Sequence, residues 1–555
     1  MHASTVPGSR IHTLFLAIFL CLFYLALQVP YWVPASDSDV YISVARNVFL
    51  GHGLIFNGLP AIKIPPLWPL VLSWAFEFSA SFWFLNGMVM LLMVGFILIW
   101  HRILVRLVGL WEATAACAVT GVLFCTYRLT FLLYSDPLFL VCFSLAVLFA
   151  LQSGQQDRFG WRSVAAIVLT CLSICVRWAG LLCAPIVVGS LLSCVDGWGG
   201  IKRRVPAIVL TCMSMAVTFL VIQRTLAHLV VDVDVSGYSA IESTLAESQP
   251  VSLDVVTRYI RHLSCAGYGL CWLFYPPLEL GLSLPVLLHA TNLAGWLLIA
   301  LYVVSIHKAA APRRAIWIGA LAYASAMLAL WSRSNTRYLL PVVPMLVVGI
   351  WRGLWHIAVE KAKGKRRHIG IAICVLVASS VVLTNLALYA ASVKVARSGN
   401  FYGAYHAGQC RELVGITAWL RANTPPEEIV AVSPSYVNVS WRRANTFGLR
   451  AVSMLTGNRV RMAPEDRYSM SDQGPVMEWL QEMDIRYFVD RPEVSPWRVW
   501  HYRAPRLQEL LTGESVATTN EFFELYCVQS NRLRKVECEL SGCFPTSVPL
   551  RRERK

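Results

Sequence analysis

The chain has 555 residues, of which 56% are hydrophobic and only 14% are charged, whereas a soluble globular protein has about 25% charged residues. This composition excludes a soluble enzyme, a disordered chain and a fibre, and it predicts a membrane protein with many spans. Residues 1–394 contain 27 Lys and Arg and 14 Asp and Glu, and the 161 residues 395–555 contain 21 and 18. We therefore predict a polytopic transmembrane domain over 1–394 and a small soluble domain over 395–555.

Eleven apolar stretches are predicted to be membrane-spanning helices, each of which needs about 20 residues. They lie near residues 11–30, 82–101, 112–131, 135–152, 163–178, 180–195, 205–226, 284–306, 315–331, 338–356 and 369–392. Lys and Arg concentrate in alternate loops, as is typical of cytoplasmic loops, and the most basic of these loops is 352–368. The N-terminus is therefore predicted inside, and the odd number of spans places the C-terminal domain outside.

The net charge of +16 follows mainly from these basic loops, which orient the protein and contact membrane lipids. The sequence contains no nucleic-acid-binding motif, so we expect no nucleic acid as a partner. Two predicted outer segments, 31–81 and 227–283, are long, and long loops are more often functional than idle.

Carboxylates are scarce before residue 395, and three of them lie at the predicted outer rim of the membrane domain. Asp37 and Asp39 follow the first span, and Asp136 begins a later span in Tyr-Ser-Asp-Pro-Leu. An ionisable group at the edge of an apolar bundle is unfavourable unless it is paired or solvated, so a functional role is the first hypothesis. The alternatives are a solvated turn for Asp37 and Asp39, and a helix N-cap followed by Pro137 for Asp136.

The outer segment 31–81 begins with a predicted surface helix. Apolar residues at 41, 44, 45, 48 and 49 have helical spacing, and Gly51 and Gly53 end the helix. Because Arg46 and Asn47 interrupt its apolar face, we expect this helix to lie along the membrane surface. His52, between the two glycines, is either a polar tip at the helix end or a second base.

The same segment continues with a proline-rich corner. Three prolines in Ile64-Pro65-Pro66-Leu67-Trp68-Pro69-Leu70 exclude a regular helix interior and predict a rigid turn, followed by a short re-entrant span. Trp68 is interpreted as an interfacial anchor, with a sugar-stacking platform as the alternative. The segment thus forms a shelf at membrane level that carries Asp37, Asp39 and Lys63.

Four motifs follow one another in this segment: an Asp-containing turn, Tyr41-x-x-x-Ala45-Arg46-Asn47, Gly51-His52-Gly53 and Pro65-Pro66-Leu67-Trp68-Pro69-Leu70. Together they resemble the first outer loop of the GT-C glycosyltransferases, and they are most similar to the protein O-mannosyltransferase and lipid A aminoarabinose transferase group. Later motifs agree in order, namely Asp136, Arg177-Trp178-Ala179-Gly180 and the Arg337-Tyr338-Leu339-Leu340-Pro341 run. The resemblance covers most of residues 11–394.

The resemblance implies an inverting enzyme with a sugar donor carried on a polyprenyl phosphate, and a lipid, glycan or protein acceptor. A lipid phosphate at the outer interface needs cations at that depth, and Lys63, Arg333 and Arg337 are placed to supply them. For the two arginines the alternative is interfacial snorkelling. Lys63 departs from the family pattern because Ile64 separates it from the proline.

The transfer reaction needs a general base, and the resemblance favours Asp37, four residues before Tyr41, with Asp39 as the rival. Asp136 is expected to hold a metal or to position the acceptor. A divalent ion bound by Asp37, Asp39 and Asp136 stays open, and no other cofactor is expected. Four further residues are candidate substrate contacts: Tyr41, His52, Trp68 and Tyr338.

The C-terminal segment is predicted to be an extracytoplasmic α/β domain. Helical patterns at 411–423 and 476–483 alternate with apolar strands at 429–432, 485–489 and 522–528. Its role is either to cover the cavity or bind the acceptor, or to act as a structural cap.

Two other functions compete with the glycosyltransferase. A glycolipid transporter or flippase typically has inverted repeats and broken central helices, and neither is evident in the sequence. A non-catalytic scaffold with a degenerate site is the third hypothesis. A bacterial inner membrane is favoured over the endoplasmic reticulum, because Asn438-Val439-Ser440 is a lone sequon and no retention signal is present.

Overall fold

The computed structural model describes residues 9–33, 36–56, 59–61, 64–154, 160–193, 197–228, 266–275, 285–310, 313–330, 336–397, 409–425, 428–432, 456, 459–462, 474–490, 524–529, 532–536, 546–548 and 550. Two predicted phosphate ligands, Lys63 and Arg333, lie outside these ranges, as does most of the second long outer segment, 227–283.

Apolar helices dominate the first 397 residues. In chain order the helices are α1 (Ser9–Leu25), α2 (Ser36–Phe49), α3 (Leu67–Phe76), α4 (Phe82–Leu107), α5 (Leu110–Val122), α6 (Phe124–Tyr127), α7 (Asp136–Gly154), α8 (Trp161–Val176), α9 (Ala184–Leu192), α10 (Gly197–His228), α11 (Ala266–Phe274), α12 (Pro285–Lys308), α13 (Arg314–Leu330), α14 (Val343–Trp355) and α15 (Lys365–Arg397). Short 3₁₀ turns follow α6 and precede α9 and α14, at Arg128–Phe131, Trp178–Cys183 and Thr336–Val342. A small hairpin, β1 (Ile55–Phe56) and β2 (Leu59–Pro60), lies between α2 and α3.

Each of the eleven predicted spans contains a helix, but the helices differ in length. Among the described residues, six are long and apolar enough to cross a membrane: α4, α7 and parts of α10, α12, α14 with its flanks, and α15. A seventh candidate is the bent pair Leu110–Val122 and Phe124–Phe131. The other four are shorter apolar helices. The chain is therefore a polytopic helical membrane protein, and the number eleven stays a prediction.

The bent span at 110–131 was not expected from the sequence, which showed no sign of a broken helix. The two halves meet at 64°. Side chains from helices distant in the sequence form hydrogen bonds with the backbone groups at the break. The hydroxyl of Tyr24 donates to the carbonyl of Gly121 at 3.0 Å, and the amide of Phe124 donates to Asn385 Oδ1 at 2.7 Å. Because lipid offers no hydrogen bonds, this break depends on partners that local sequence does not reveal.

Arginines of the predicted cytoplasmic loops cap the ends of the spanning helices. Arg204 donates to the carbonyl of Gly154 at 3.0 Å, and Arg313 donates to that of Leu107 at 3.0 Å. Arg314 donates to the carbonyl of Ala309 at 2.9 Å, and Arg352 to that of Val108 at 3.3 Å. Cations are favourable at helix C-termini. These arginines therefore stabilise the helix ends, in addition to their predicted role in orienting the protein in the membrane.

The described residues of the C-terminal segment form a mixed sheet with two helices. The strands β3 (Ile429–Val432), β4 (Arg459–Met462), β5 (Tyr487–Asp490), β6 (Glu524–Gln529) and β7 (Arg532–Val536) have the spatial order β4-β3-β5-β6-β7. The strand β3 is parallel to β4 and β5, whereas β6 and β7 are antiparallel additions. The helices are α16 (Gln409–Asn423) and α17 (Gly474–Glu482), and both overlap the predicted ones.

The C-terminal end of the chain contacts the beginning of α4. The amide of Phe82 donates to the carbonyl of Thr546 at 3.0 Å, and the amide of Val548 donates to that of Ala80 at 2.9 Å. One turn into α4, Asn86 donates to the carbonyl of Val29 at 3.0 Å. The last described residues and the segment that precedes α2 therefore lie at the same end of the helix bundle.

Candidate functional site

The helix α2 carries Asp37 and Asp39 in its first turn. The helix begins at Ser36, so the two carboxylates do not lie in a turn before the helix, which corrects the sequence-based interpretation. Carboxylates at a helix N-terminus are stabilised by the helix dipole. Because residues two apart on an α-helix point about 200° apart, Asp37 and Asp39 face opposite sides.

Asp39 faces the protein interior. It is fully buried, and its Oδ1 accepts a hydrogen bond of 2.9 Å from Nε1 of Trp32, which is also buried. This contact joins the start of α2 to the segment that follows α1. Asp39 is therefore placed to hold α2 in position.

Asp37 lies on the other side of α2 and is 36% exposed. Its Oδ2 accepts a charge-assisted hydrogen bond of 2.7 Å from Nη2 of Arg337. Arg337 begins the Arg-Tyr-Leu-Leu-Pro run, 300 residues further along the chain. The structure thus brings together the predicted base and one of the predicted phosphate ligands.

Aromatic rings surround the guanidinium of Arg337. Its Cζ lies 4.7 Å from the ring centroid of Tyr134 and 5.2 Å from that of Tyr338, distances at which cation–π attraction is appreciable. The hydroxyl of Tyr323, on α13, donates to the backbone carbonyl of Tyr338 at 3.0 Å. These contacts fix the 3₁₀ turn that carries Arg337.

A second ion pair joins Asp136 and Arg177. Asp136 is the first residue of α7, and Arg177 links α8 to the 3₁₀ turn before α9. The side chains of Asp136 and Arg177 are 4% and 11% exposed, so this ion pair is buried. Asp136 therefore forms an ion pair in addition to beginning the helix. The Cζ of Arg177 lies 4.9 Å from the ring centroid of Tyr338, so both guanidinium groups pack on the same tyrosine.

Tyr41 completes the cluster from α2. It follows Asp37 by one helical turn, and its hydroxyl accepts a hydrogen bond of 3.0 Å from Ser135 Oγ. Arg177, Asp37 and Asp136 are all within electrostatic range of it. Burial raises the pKa of Tyr41 from 10.0 to about 12, so it is a neutral hydroxyl at physiological pH.

The remaining predicted contacts lie elsewhere. His52 is exposed between Gly51 and Gly53, both of which have positive φ, as a helix-ending turn requires. Trp68 is fully buried, and its Nε1 donates to the carbonyl of Leu133 at 3.1 Å. It is therefore part of the core, which corrects both the interfacial and the sugar-stacking interpretation. Arg46, expected on a surface face, is also buried.

A metal site built from the three predicted carboxylates is not formed. Among the described residues no group of three His, Cys, Asp or Glu side chains lies close enough to hold a metal ion. Asp39 faces Trp32, and Asp136 is paired with Arg177. Metal dependence itself stays a prediction.

Three residues of the cluster were not predicted as site residues: Tyr134, Ser135 and Arg177. Tyr134 and Ser135 directly precede Asp136, and Arg177 is a lone basic residue between two apolar helices. Carboxylates are so scarce in this domain that a buried arginine had few partners available. The small number of carboxylates could therefore have predicted that Arg177 pairs with one of them at the site. No feature of the sequence predicted that Tyr134 belongs to the cluster.

Comparisons with known proteins identify the fold. No protein-family model matches the chain, and no curated protein matches its sequence. Among solved structures, the oligosaccharyltransferase AglB from Archaeoglobus fulgidus, in complex with an inhibitory peptide and a dolichol-phosphate, is similar with a TM-score of 0.51 and 11% identity, covering 88% of this chain and 70% of its own. The apo form of the oligosaccharyltransferase from the same organism has a TM-score of 0.50 and 12% identity, covering 86% and 69%.

ArnT from Cupriavidus metallidurans bound to undecaprenyl phosphate is similar over 88% of this chain and 94% of its own, with a TM-score of 0.46 and 15% identity. Identities this low are informative about the fold and not about the reaction. The two oligosaccharyltransferase structures show that the chain shares their fold, in agreement with the fold that the order of its motifs predicted.

Proposed function

We propose that the chain is an integral membrane glycosyltransferase that moves a sugar from a polyprenyl-phosphate donor to an acceptor hydroxyl, with inversion at the anomeric carbon. Asp37 is the general base, and Arg337 binds the donor phosphate. The fold supports this proposal by analogy: the similar archaeal oligosaccharyltransferase was solved with a dolichol-phosphate.

The contact between Asp37 and Arg337 carries the proposal. It joins a partly exposed carboxylate to a guanidinium held by two tyrosine rings. It lies beside the buried Asp136–Arg177 pair, and both guanidinium groups pack on Tyr338. A phosphate-binding cation next to a carboxylate that can reach solvent is the arrangement that transfer from a lipid phosphate needs.

The reaction balances with these groups. Asp37 accepts the proton of the acceptor hydroxyl while the acceptor oxygen forms a bond to the anomeric carbon. The bond between that carbon and the phosphate oxygen breaks, and the lipid phosphate leaves with the electron pair. Arg337 stabilises the charge on the leaving phosphate, so no strong acid is required.

The other predicted residues take supporting roles. Asp39 positions α2 through Trp32, and the pair Asp136–Arg177 holds Tyr338. Tyr41 offers a neutral hydroxyl to the sugar. Three further assignments are kept as predicted: Lys63 and Arg333 as additional phosphate ligands, and His52 as a substrate contact.

The sidedness of the site follows from the proposed topology. The arginine-capped helix ends lie in the cytoplasm, and Asp37 and Asp136 lie at the opposite, extracytoplasmic end. The segment 395–555 is an extracytoplasmic domain that covers the cavity or binds the acceptor, which is a lipid, glycan or protein. The membrane is a bacterial inner membrane.

The test is transfer by the purified full-length chain in lipid nanodiscs. A panel of undecaprenyl-phosphate sugars is supplied, and release of undecaprenyl phosphate is followed by mass spectrometry. We expect release with one donor class, and its loss in Asp37→Asn protein that elutes and melts like the wild type. Full activity of the Asp37→Asn protein would exclude the base assignment.

The broken span at 110–131 favours a glycolipid flippase as a second candidate, because broken helices are typical of transporters. The polar groups at this break, however, are bonded to Tyr24 and Asn385 and are not presented to a substrate. Translocation of a fluorescent polyprenyl-phosphate sugar across liposomes, without release of the lipid phosphate, would support the flippase.

A further inference from the structure

We propose that Asp37 and the phosphate of the donor lipid compete for Arg337, so that donor binding releases the base. This inference rests on the proposed function and concerns how the same site is switched on. It makes Asp37 unavailable in the absence of donor and available once the phosphate has bound.

Within the two described ion pairs, the charges cancel before any ligand arrives. Asp37 and Asp136 carry two negative charges and Arg177 and Arg337 carry two positive charges, and the two guanidinium groups pack on the ring of Tyr338. A phosphate that joins this group brings excess negative charge. The excess is relieved when one carboxylate leaves its guanidinium and is solvated.

The difference in burial between the two ion pairs identifies the pair in which a phosphate can replace the carboxylate. The side chains of Asp136 and Arg177 are 4% and 11% exposed, whereas those of Asp37 and Arg337 are 36% and 20% exposed. Breaking the buried pair would leave an uncompensated charge in the protein, which is strongly unfavourable. Asp37 can turn to water instead, so the Asp37–Arg337 pair is the exchangeable one.

The hydrogen-bond geometry of Arg337 gives a second, independent reason. Nε and Nη2 are the two donors along one edge of a guanidinium, and a phosphate binds that edge with two parallel hydrogen bonds. Asp37 occupies Nη2 at 2.7 Å, and the buried Nε has no acceptor among the described residues. A phosphate that takes both donors must therefore displace Asp37.

The rings of Tyr134 and Tyr338 keep the guanidinium in place during this exchange. They contact it through cation–π attraction, which does not require Asp37. Arg337 thus stays at the site when its carboxylate partner leaves. The released Asp37 then accepts the proton of the acceptor hydroxyl, as the C–O bond to the acceptor forms and the C–O bond to the phosphate breaks.

The proposal makes a prediction that runs against the usual effect of a catalytic substitution. If Asp37 competes with the phosphate, then Asp37→Asn abolishes transfer and at the same time tightens lipid binding. Binding of undecaprenyl phosphate to the full-length chain in nanodiscs is measured by microscale thermophoresis for wild type, Asp37→Asn, Arg337→Ala and Glu77→Gln. We expect about fivefold tighter binding by Asp37→Asn, the size that a partly exposed ion pair allows.

The other variants are the controls. Glu77→Gln removes an exposed carboxylate that lies outside the cluster, and it should bind like the wild type. Arg337→Ala should lose most of the affinity. Because the expected effect of Asp37→Asn is a gain of affinity, a folding defect cannot imitate it.

A structure of the wild type with undecaprenyl phosphate should show Asp37 Oδ2 beyond 3.5 Å from Arg337 Nη2.

The outcomes separate the two proposals. Unchanged or weaker binding by Asp37→Asn, or an intact Asp37–Arg337 bond in the complex, overturns the exchange and leaves the proposed function standing. No binding of undecaprenyl phosphate by the wild type, or no effect of Arg337→Ala, overturns both. Equal tightening by Glu77→Gln would point to general electrostatics and would also overturn the exchange.

Discussion

At the scale of single residues, helix geometry separates two carboxylates that look equivalent in the sequence. Asp37 and Asp39 are two residues apart, and a helix places such residues on opposite faces. One contacts Arg337, and the other accepts a hydrogen bond from Trp32. A shift of one residue in either carboxylate would remove it from its partner.

The hydrogen bond between Trp32 and Asp39 gives the first prediction. Trp32→Phe leaves the buried Asp39 Oδ1 without this donor, and we expect a loss of about 1–3 kcal/mol in the free energy of unfolding. Thermal denaturation in detergent measures the loss. Trp74→Phe, at a tryptophan that is 63% exposed, is the matched control. Equal melting temperatures for both variants would contradict the anchoring role of Asp39.

The buried ion pair gives the second prediction. Asp136→Ala leaves the guanidinium of Arg177 buried without its carboxylate, and we expect a destabilisation of about 3–5 kcal/mol. The double variant Asp136→Ala/Arg177→Ala should recover part of this loss, because neither charge is then left alone. A double-mutant cycle of melting temperatures tests it, and additive losses would show that the pair is not coupled.

The pKa of Tyr41 gives the third prediction. Burial raises this pKa from 10.0 to about 12 in the folded state, so the folded state holds the proton more tightly than the unfolded state does. The resulting stability is fully present below pH 10 and is lost as the pH rises through 12. Tyr41→Phe should therefore lose less stability than the wild type between about pH 10 and 12, as measured by thermal melting. Identical alkaline profiles would exclude this contribution.

At the scale of secondary-structure elements, the break in the span 110–131 depends on a residue in α15. Asn385 is fully buried, accepts from the amide of Phe124 at 2.7 Å and donates to the carbonyl of Phe274 at 2.9 Å. It thus joins α6, α11 and α15 at a place where lipid cannot solvate backbone groups.

The fourth prediction concerns this residue. Asn385→Leu keeps a similar volume but removes both hydrogen bonds, and each buried group left unpaired costs about 1–3 kcal/mol. We expect a clear drop in melting temperature, whereas Leu383→Ala, at a residue that is 64% exposed, should have little effect. A stable Asn385→Leu protein would mean that the break finds other partners.

At the scale of the whole molecule, the two ends of the helix bundle differ in chemistry. One end carries arginines that cap helix C-termini, and it also carries the basic loop before α15. The other end carries the ion-pair cluster and the contact between Val548 and Ala80. This asymmetry predicts the orientation of the protein in the membrane.

The fifth prediction tests that orientation. Lys363 and Ser547 are both exposed and lie at opposite ends of the bundle. We expect Ser547→Cys in intact cells to react with a membrane-impermeant maleimide, and Lys363→Cys to react only after the cells are opened. The parent chain, with its native cysteines, provides the background. Reaction of both sites in intact cells would exclude the proposed topology.

The membrane class, the helix positions and the candidate carboxylates could be read from the sequence, because each depends on local composition. A run of apolar residues predicts a span wherever it lies, and a lone Asp in such a chain is conspicuous. The order of the outer-loop motifs also predicted the fold. Among the assignments that failed were those of Trp68 and Arg46, because burial depends on what packs against a residue from elsewhere in the chain.

By itself the sequence determined that this chain is a polytopic membrane protein with basic loops at one end and three rare carboxylates at the other. Only the tertiary structure decided which carboxylate meets which cation. Asp37 and Arg337 are 300 residues apart in the sequence. Asp136, at the start of α7, pairs with Arg177, which directly follows α8. The physical reason is that ion pairs form in space: composition predicts that a buried charge needs a partner, but packing selects the partner.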